Sequence, residues 1–132
     1  MTYASATKVP VAKTKTAIDD MLKKAKATAT AVFEEERRAA VAFQMNGRRI
    51  MFHLPLDPKD TEQRRRTRWR ALLLCMKAKL ESVASGVETF EEAFLAHVMM
   101  PDGQTVGEHT APMIAKSYES GTMQPLLPAP KR

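Results

Sequence analysis

The sequence contains a single cysteine, Cys75, and no long apolar run. One cysteine excludes an intramolecular disulfide and favours a reducing compartment. A helix that crosses a bilayer needs roughly 20 consecutive apolar residues, whereas the longest apolar run here covers only residues 71–76. The N-terminal residues also lack the apolar segment of a secretory signal. We therefore expect a cytoplasmic protein that does not associate with membranes.

Residues typical of a catalytic or metal centre are few and poorly spaced. The histidines are His53, His97 and His109. Their separations match no zinc-ligand pattern, and the glycines form no phosphate-binding loop. The apolar neighbours of Cys75 predict a packed, inert thiol. A cation site made of Asp102 and Glu108 stays open, although a Pro-Asp-Gly turn explains Asp102 without one. We therefore expect neither an enzyme nor a bound metal or cofactor.

Two less regular termini flank a single predicted domain. Residues 1–13 are small and polar, include Pro10, and predict an extended arm. Residues 122–132 predict a flexible proline-rich tail. The domain between them covers residues 14–121, which is long enough to bury its own hydrophobic core.

Helical and strand periodicities alternate within this domain. They predict a helix over 17–26, strands over 30–34 and 38–45, a third strand ending at Pro55, a long helix from an Asp57-Pro58 cap to residue 84, a helix over 90–98, short strands over 98–100 and 104–106, and a last helix over 112–119. Thr16 and the Thr89/Glu92 pair mark helix starts, and Gly86 and Gly121 mark helix ends. The expected fold is α+β: an N-terminal helix, a three-stranded antiparallel β-meander, a long basic helix, and two shorter helices with a small turn or hairpin between them.

The dipeptide Asn46-Gly47 is the strongest local signal, because a type I′ hairpin turn needs positive φ at both central residues. A two-residue turn there pairs Phe43 with Ile50 on an apolar face and Ala42 with Met51 on a mixed face. Helices cover the apolar face in this arrangement. The mixed face is then free for a partner or covered by a second subunit, which leaves homodimerisation open.

Basic and acidic residues are segregated along the chain, although the net charge is only +6. Between residues 59 and 79 there are eight basic and two acidic residues, whereas between 80 and 120 there are seven acidic residues and one lysine. Such segregation creates a basic surface that attracts nucleic acid or an acidic partner. The alternative is that the two zones pair with each other and leave little net field.

Five of the basic residues crowd into the start of the long helix: Arg64, Arg65, Arg66, Arg68 and Arg70. Guanidinium groups bind phosphate through two parallel hydrogen bonds and keep their charge at any physiological pH. Arg48 and Arg49 of the hairpin, together with Lys23, Lys24 and Lys26, extend this surface if they lie nearby. The alternative is a solvated helix face whose arginines pair with Glu34, Glu35, Glu36 or the later acids. Trp69 shares the helical spacing of apolar residues and is assigned to the core, so phosphate contacts are favoured over base readout.

Several stretches of the chain together resemble a group of small proteins encoded by phages and prophages. They are VPVAKTKTAID (9–19), FQMNGRRIMFHLPL (43–56), RWRALLLCMKAKLESV (68–83) with the following Ser-Gly (85–86), TFEEAFLAHVMMPDGQTVGE (89–108) and LLP (126–128). These stretches cover most of the chain, but none is a catalytic signature. The group has no established function, so the resemblance implies an origin, the cytoplasm of an infected bacterium, and no functional residues.

Besides a structural part of the virion, which oligomers of fixed stoichiometry would indicate, two functions fit these features. The first is a non-enzymatic phage accessory protein that binds the nucleic-acid backbone during DNA replication, recombination or expression. The second is a phage-encoded inhibitor or adaptor, such as an anti-defence protein, that binds a host protein or a phosphorylated small ligand through the same basic surface.

Overall fold

The computed structural model describes residues 7–128 and has the α+β architecture expected from the sequence. Its helices and strands are α1 (Val11–Lys24), β1 (Ala29–Glu34), β2 (Arg38–Met45), β3 (Arg48–Pro55), α2 (Glu62–Ala84), α3 (Phe90–Phe94), a 3-10 helix (Leu95–His97) and α4 (Val106–Ser120). The strands form one antiparallel sheet in the order β1-β2-β3. Among residues 7–128, no helix has both the length and the apolar character needed to cross a membrane.

The turn at Asn46-Gly47 sets the register between β2 and β3. Both residues have positive φ, 52° and 72°, as the hairpin turn requires. Phe43 therefore pairs with Ile50, and Ala42 pairs with Met51, as the sequence predicts. Because side chains alternate along a strand, the Phe43 side faces the core and the Ala42 side faces outward.

Helices α1 and α2 cover the inner face of the sheet and enclose the core. Their fully or nearly fully buried apolar residues recur at helical spacing: Ile18 and Leu22 in α1, and Trp69, Leu72, Leu73 and Met76 in α2. Phe94 of α3 closes the core with its ring edge-on to Phe43, at a centroid distance of 5.8 Å. The apolar side of the long helix is therefore the one predicted.

Helix α1 begins at Val11, well before its predicted start. Pro10 occupies the N-cap position, and Thr14 in the first turns is completely buried. Thr16 is not a cap, because its hydroxyl donates a hydrogen bond to the carbonyl four residues earlier at 3.1 Å. Burial against the rest of the protein thus extends the helix beyond the local capping signal. The predicted arm is correspondingly shorter, and its residues 1–6 lie outside the described part of the chain.

Helix α2 begins at Glu62 instead of at the predicted Asp57-Pro58 cap. The Asp57 carboxylate accepts a hydrogen bond from the backbone N–H of Lys59 at 2.9 Å and thereby forms a turn of its own. Thr61 caps the helix, and its side chain accepts a backbone hydrogen bond from the first turn at 3.1 Å. The helix ends just before Gly86, as predicted.

The predicted capping box of Thr89 and Glu92 is present and begins α3. After Phe94, however, the chain tightens into the 3-10 helix instead of continuing as predicted. Met99 then donates a backbone hydrogen bond to Arg49 at 2.8 Å, so pairing with the edge of β3 draws the chain away from the helix. The two short strands predicted beyond this point are reduced to a single bridge between Met99 and Thr105.

Helix α4 begins at Val106, earlier than predicted, because Thr105 and Glu108 form a second capping box. Pro112 lies inside this helix and does not start it. Gly121 adopts a positive φ of 70° and ends the helix as predicted.

Cys75 is exposed, which corrects the prediction of a packed thiol. Successive residues of a helix point in directions about 100° apart, so apolar neighbours in sequence do not share one side. Leu73 and Met76 turn into the core, whereas Cys75 lies on the solvent side with Ala71 and Ala78.

Candidate nucleic-acid interface

The N-termini of α1 and α2 lie at the same end of the molecule. The Gln63 side chain donates a hydrogen bond to the carbonyl of Thr7 at 2.6 Å. Two turns further along α1, the Lys15 ammonium lies 5.0 Å from the centre of the Trp69 ring. The two helices therefore run in the same direction, and their positive dipole ends point the same way.

The turn between β1 and β2 reaches the same end. Glu34, the last residue of β1, forms ion pairs with Lys15 of α1 and Arg65 of α2. The backbone N–H of Leu56, after β3, donates to the carbonyl of Arg37 at 2.9 Å. Three separate segments of the chain thus converge on this end of the sheet.

We call this surface the basic end. Its basic side chains are Lys8, Lys13, Lys15, Arg37, Arg38, Lys59, Arg64, Arg65, Arg66, Arg68 and Arg70, and its acidic side chains are Glu34, Glu35, Glu36, Asp57, Asp60 and Glu62. Eleven cations face six carboxylates, so the region keeps a net charge of about +5. The separation of basic from acidic residues along the sequence pointed only to the start of α2 and the residues just before it.

The protein's own carboxylates pair with three of the five arginines in α2. Arg64 lies 3.4 Å from Asp60, and Arg66 lies 3.6 Å from Glu62, each one helical turn away. Arg65 lies 3.4 Å from Glu34 and also donates a hydrogen bond to a backbone carbonyl at 3.2 Å. Arg64 contacts Asp60 through Nε and its side chain is 72% exposed, so it can still meet a phosphate group, whereas the Asp60 and Arg66 side chains are only 8% and 31% exposed.

Other cations of the basic end have no carboxylate within 4 Å among residues 7–128. Lys8, Lys13, Arg37 and Lys59 belong to this set and are exposed. Arg68 and Arg70 also belong to it but are half-buried, and the Nε atom of Arg68 is buried without a hydrogen-bond partner. The cations most accessible to a ligand are therefore mostly lysines and arginines outside the predicted cluster.

Arg48 and Arg49 lie at the opposite end of the sheet, which corrects the expectation that they extend the cluster. They begin β3, whose eight residues span roughly 23 Å at about 3.3 Å per residue. Arg48 is also paired with Glu91 at 3.1 Å. Lys24 shares this far end, where it lines a surface cavity of about 630 Å³ beside Asn46. We call this region the hairpin end.

The helix register alone could not show that α1 and the β1–β2 turn contribute to the basic end. Lys13 and Arg37 are separated from α2 by long stretches of sequence, and only the packing of α1 and of the β1–β2 turn against α2 brings them to the same end. The sequence nonetheless contained one indication. If α1 is placed with its start at Val11, Lys13 lies on the exposed side of that helix.

Two histidine–carboxylate pairs lie at or near the start of α4. Asp102 lies 2.6 Å from His109, and Glu108 lies 3.6 Å from His53. Backbone N–H donors, from Gln104 to Asp102 and from within the capping box to Glu108, hold the pKa of each carboxyl below its ordinary value, and the histidines add to this. Among residues 7–128, no three histidine, cysteine, aspartate or glutamate side chains are grouped to hold a metal ion.

Comparison of the chain with protein-family models, with curated proteins and with solved structures gives no match. The basic end is therefore the feature of the described residues that bears most directly on function.

Proposed function

We propose that this chain is a phage accessory protein that binds the sugar-phosphate backbone of nucleic acid through its basic end, in phage DNA replication, recombination or expression. The observation that supports this most is the convergence of three basic segments on one end, with cations in excess of carboxylates. Backbone binding by such a surface is insensitive to sequence, because phosphates carry no base information.

The exposed lysines and arginines are suited to this role. Lys13, Lys59 and Arg64 come from different segments and reach solvent, so together they offer charges over an area instead of along a line. Contact with about four phosphates of B-DNA gives a slope of roughly −3.6 for log affinity against log salt, which is about a hundredfold loss of affinity for a fourfold rise in salt.

The experiment is a gel-shift titration against single- and double-stranded DNA and RNA at two salt concentrations. The test variant carries Lys13→Ala, Lys59→Ala and Arg64→Ala. Exposed positions are chosen because Arg66 and Arg68 are partly buried, and their substitution also perturbs folding. We expect broad weakening on every sequence of the preferred nucleic acid and a salt slope reduced by about 0.9 for each lost phosphate contact.

A matched control removes the same number of charges from the hairpin end. It carries Lys24→Ala, Arg49→Ala and Lys77→Ala, all exposed. We expect this variant to bind almost as well as the unsubstituted protein. Equal weakening by both triple variants would mean that net charge and not the basic end governs binding, and absence of binding to all four nucleic acids at low salt rejects the proposal.

A further inference from the structure

The outer face of the sheet is apolar, shallow and uncovered. Its middle is lined by alanines, including Ala31, Ala40 and Ala42, with Phe33 and Met51 on either side. The depression that they form has a volume of about 370 Å³, and Phe33 is 46% exposed. A shallow apolar depression of this kind can accommodate the apolar side chains of a docked segment.

Helix α4 carries a second uncovered apolar surface. None of its residues is buried. Ala111, Ile114, Ala115 and Tyr118 recur at i, i+3, i+4 and i+7 and therefore lie on one side of the helix. All four are exposed, Ile114 at 45% and Tyr118 at 86%.

The stripe of Ala111, Ile114, Ala115 and Tyr118 is not the side that α4 turns toward its own chain. The half-buried residues Thr110, Met113 and Ser117 lie on a different side, and the backbone of Gln124 donates to the Ser117 hydroxyl at 3.0 Å as the following segment folds back. The acidic and basic residues of α4 occupy the third side. An amphipathic helix with an uncovered apolar side is normally docked against another apolar surface.

The sheet face and the helix match in size. The 15 residues of α4 make a helix of about 22 Å at 1.5 Å per residue. The eight-residue strands β2 and β3 are about 23 Å long at 3.3 Å per residue. Alanines in the middle of the sheet let a helix approach closely, and Ile114 and Tyr118 are large enough to fill the space beside Phe33 and Met51.

The charges match as well. Arg49 borders the outer sheet face, and so do Arg38 and His53, which pair with Glu35 and Glu108 of their own chain. The last turn of α4 contains Glu119 and no basic residue, and the C-terminal end of a helix is itself negative. The last turn of α4 therefore brings negative charge toward Arg49, which has no carboxylate within 4 Å among residues 7–128.

We propose that α4 of one copy packs across the outer sheet face of a second copy, and that the second copy does the same in return. Within one chain, α4 touches its own body mainly at the 3-10 helix and through Glu108 and His53, and its stripe stays in solvent. A two-fold dimer makes the contact twice and leaves no copy with an open face. This dimer goes beyond the proposed function and gives a particle with two basic ends.

Sedimentation over a range of micromolar concentrations tests the proposal. We expect a dimer for the unsubstituted protein, and a monomer for Ile114→Glu and for Ala42→Glu, which alter the two sides of the contact separately. Val87→Glu is the control, because Val87 is 77% exposed but lies on neither surface. A monomeric unsubstituted protein, or dissociation by all three substitutions alike, overturns the proposal. Circular dichroism of each variant checks that the variant is folded.

Cross-linking distinguishes two copies from a closed monomer. In a Cys75→Ala background, one chain carries Ala42→Cys and a differently tagged chain carries Ile114→Cys. We expect oxidation of the mixture to give a disulfide-linked heterodimer. A cross-link that forms only within a chain carrying both cysteines would show that α4 closes on its own sheet, and this result rejects the dimer. Neither experiment depends on nucleic acid, so failure here leaves the proposed function standing.

Discussion

The Arg65 guanidinium lies 3.4 Å from the Glu34 carboxylate and so joins the start of α2 to the end of β1. The same carboxylate binds Lys15 of α1. One acidic residue therefore holds together the three segments of the basic end. It also neutralises two cations that a phosphate would otherwise meet, so Glu34 is placed to favour folding and to oppose binding.

Substituting Glu34 with Gln separates these two effects. We expect the free energy of unfolding to fall by about 0.5–1 kcal/mol, since the ion pairs are partly exposed. Nucleic-acid affinity should rise, because Lys15 and Arg65 become available. Urea unfolding and gel shift measure the two quantities. Glu81→Gln, at the hairpin end, removes one negative charge without freeing a cation of the basic end. Equal affinity in the two variants would show that Glu34 does not restrain binding.

The exposed Cys75 thiol should react rapidly with a thiol reagent in the folded protein. The sequence predicts the opposite, because the neighbouring leucines are apolar. We expect one equivalent of thiol to react with Ellman's reagent without denaturant, at a rate close to that in urea. Modification should leave the far-ultraviolet circular dichroism unchanged, since the side chain lies on the solvent side of α2. If Cys75 reacted only after the protein was unfolded, the thiol would be packed, as the sequence predicts.

The sequence predicted correctly those elements of the fold that are determined by residues close together in the chain. The Asn46-Gly47 turn allows one hairpin geometry, so the complete register of β2 and β3 follows from the sequence. The start of α1 depends instead on the burial of Thr14 by other elements, which no neighbouring residue indicates. The Thr105/Glu108 box is a local signal as clear as Thr89/Glu92 and could have placed the start of α4.

The same distinction between local and long-range determinants applies to the candidate site. The arginine run in the sequence locates the positive charge of α2. Which of these arginines form ion pairs, and which other cations lie near them, is known only from the three-dimensional structure. Arg65 is bound by Glu34 from a distant strand, and Arg49 lies at the far end of the sheet. Lys13 enters the surface only because α1 packs parallel to α2. A sequence pattern indicates how much charge an element carries, whereas the packing of the elements decides which charges a ligand can reach.

His97 should make stability depend on pH. Its ring stacks on Phe52 with centroids 3.9 Å apart, and burial, followed by the nearby charge of Lys79, lowers its pKa from the ordinary value of 6.5. A lowered histidine pKa means that the folded state favours the neutral ring. The stabilisation is therefore complete above pH 6.5 and is lost as the pH falls from there through the folded-state pKa.

The variant His97→Phe keeps an aromatic ring against Phe52 but cannot bind a proton. We expect its free energy of unfolding to fall less than that of the unsubstituted protein as the pH is lowered below 6.5. Urea unfolding at several pH values provides the comparison, and a nuclear magnetic resonance titration gives the pKa of His97 directly. Parallel pH profiles for the two proteins would show that folding does not favour the neutral form of the half-buried His97 ring.

The capping box at the start of α4 should weaken in acid. The backbone N–H of Thr105 donates to the Glu108 carboxylate at 3.0 Å. This bond is the main reason that the pKa of Glu108 lies below its ordinary value of 4.5, and the His53 charge lowers it further. Since the folded-state pKa is depressed, the stabilisation is present above about pH 4.5 and is lost as the pH falls through the folded-state pKa.

Amide hydrogen exchange of α4 measures this effect locally, because the capping box holds the first turn of the helix and none of the helix's residues is buried. We expect exchange to accelerate in acid, beyond the intrinsic pH dependence of amides, in α4 but not in the core residues of α2. Glu108→Gln retains a side chain that can accept the Thr105 hydrogen bond but cannot titrate, so its protection should change little with pH. Thr105→Ala removes the cap at all pH values and should cost about 1 kcal/mol at neutral pH. If α4 in Glu108→Gln lost protection in acid as the unsubstituted helix does, some group other than the capping carboxylate would control the stability of α4 in acid.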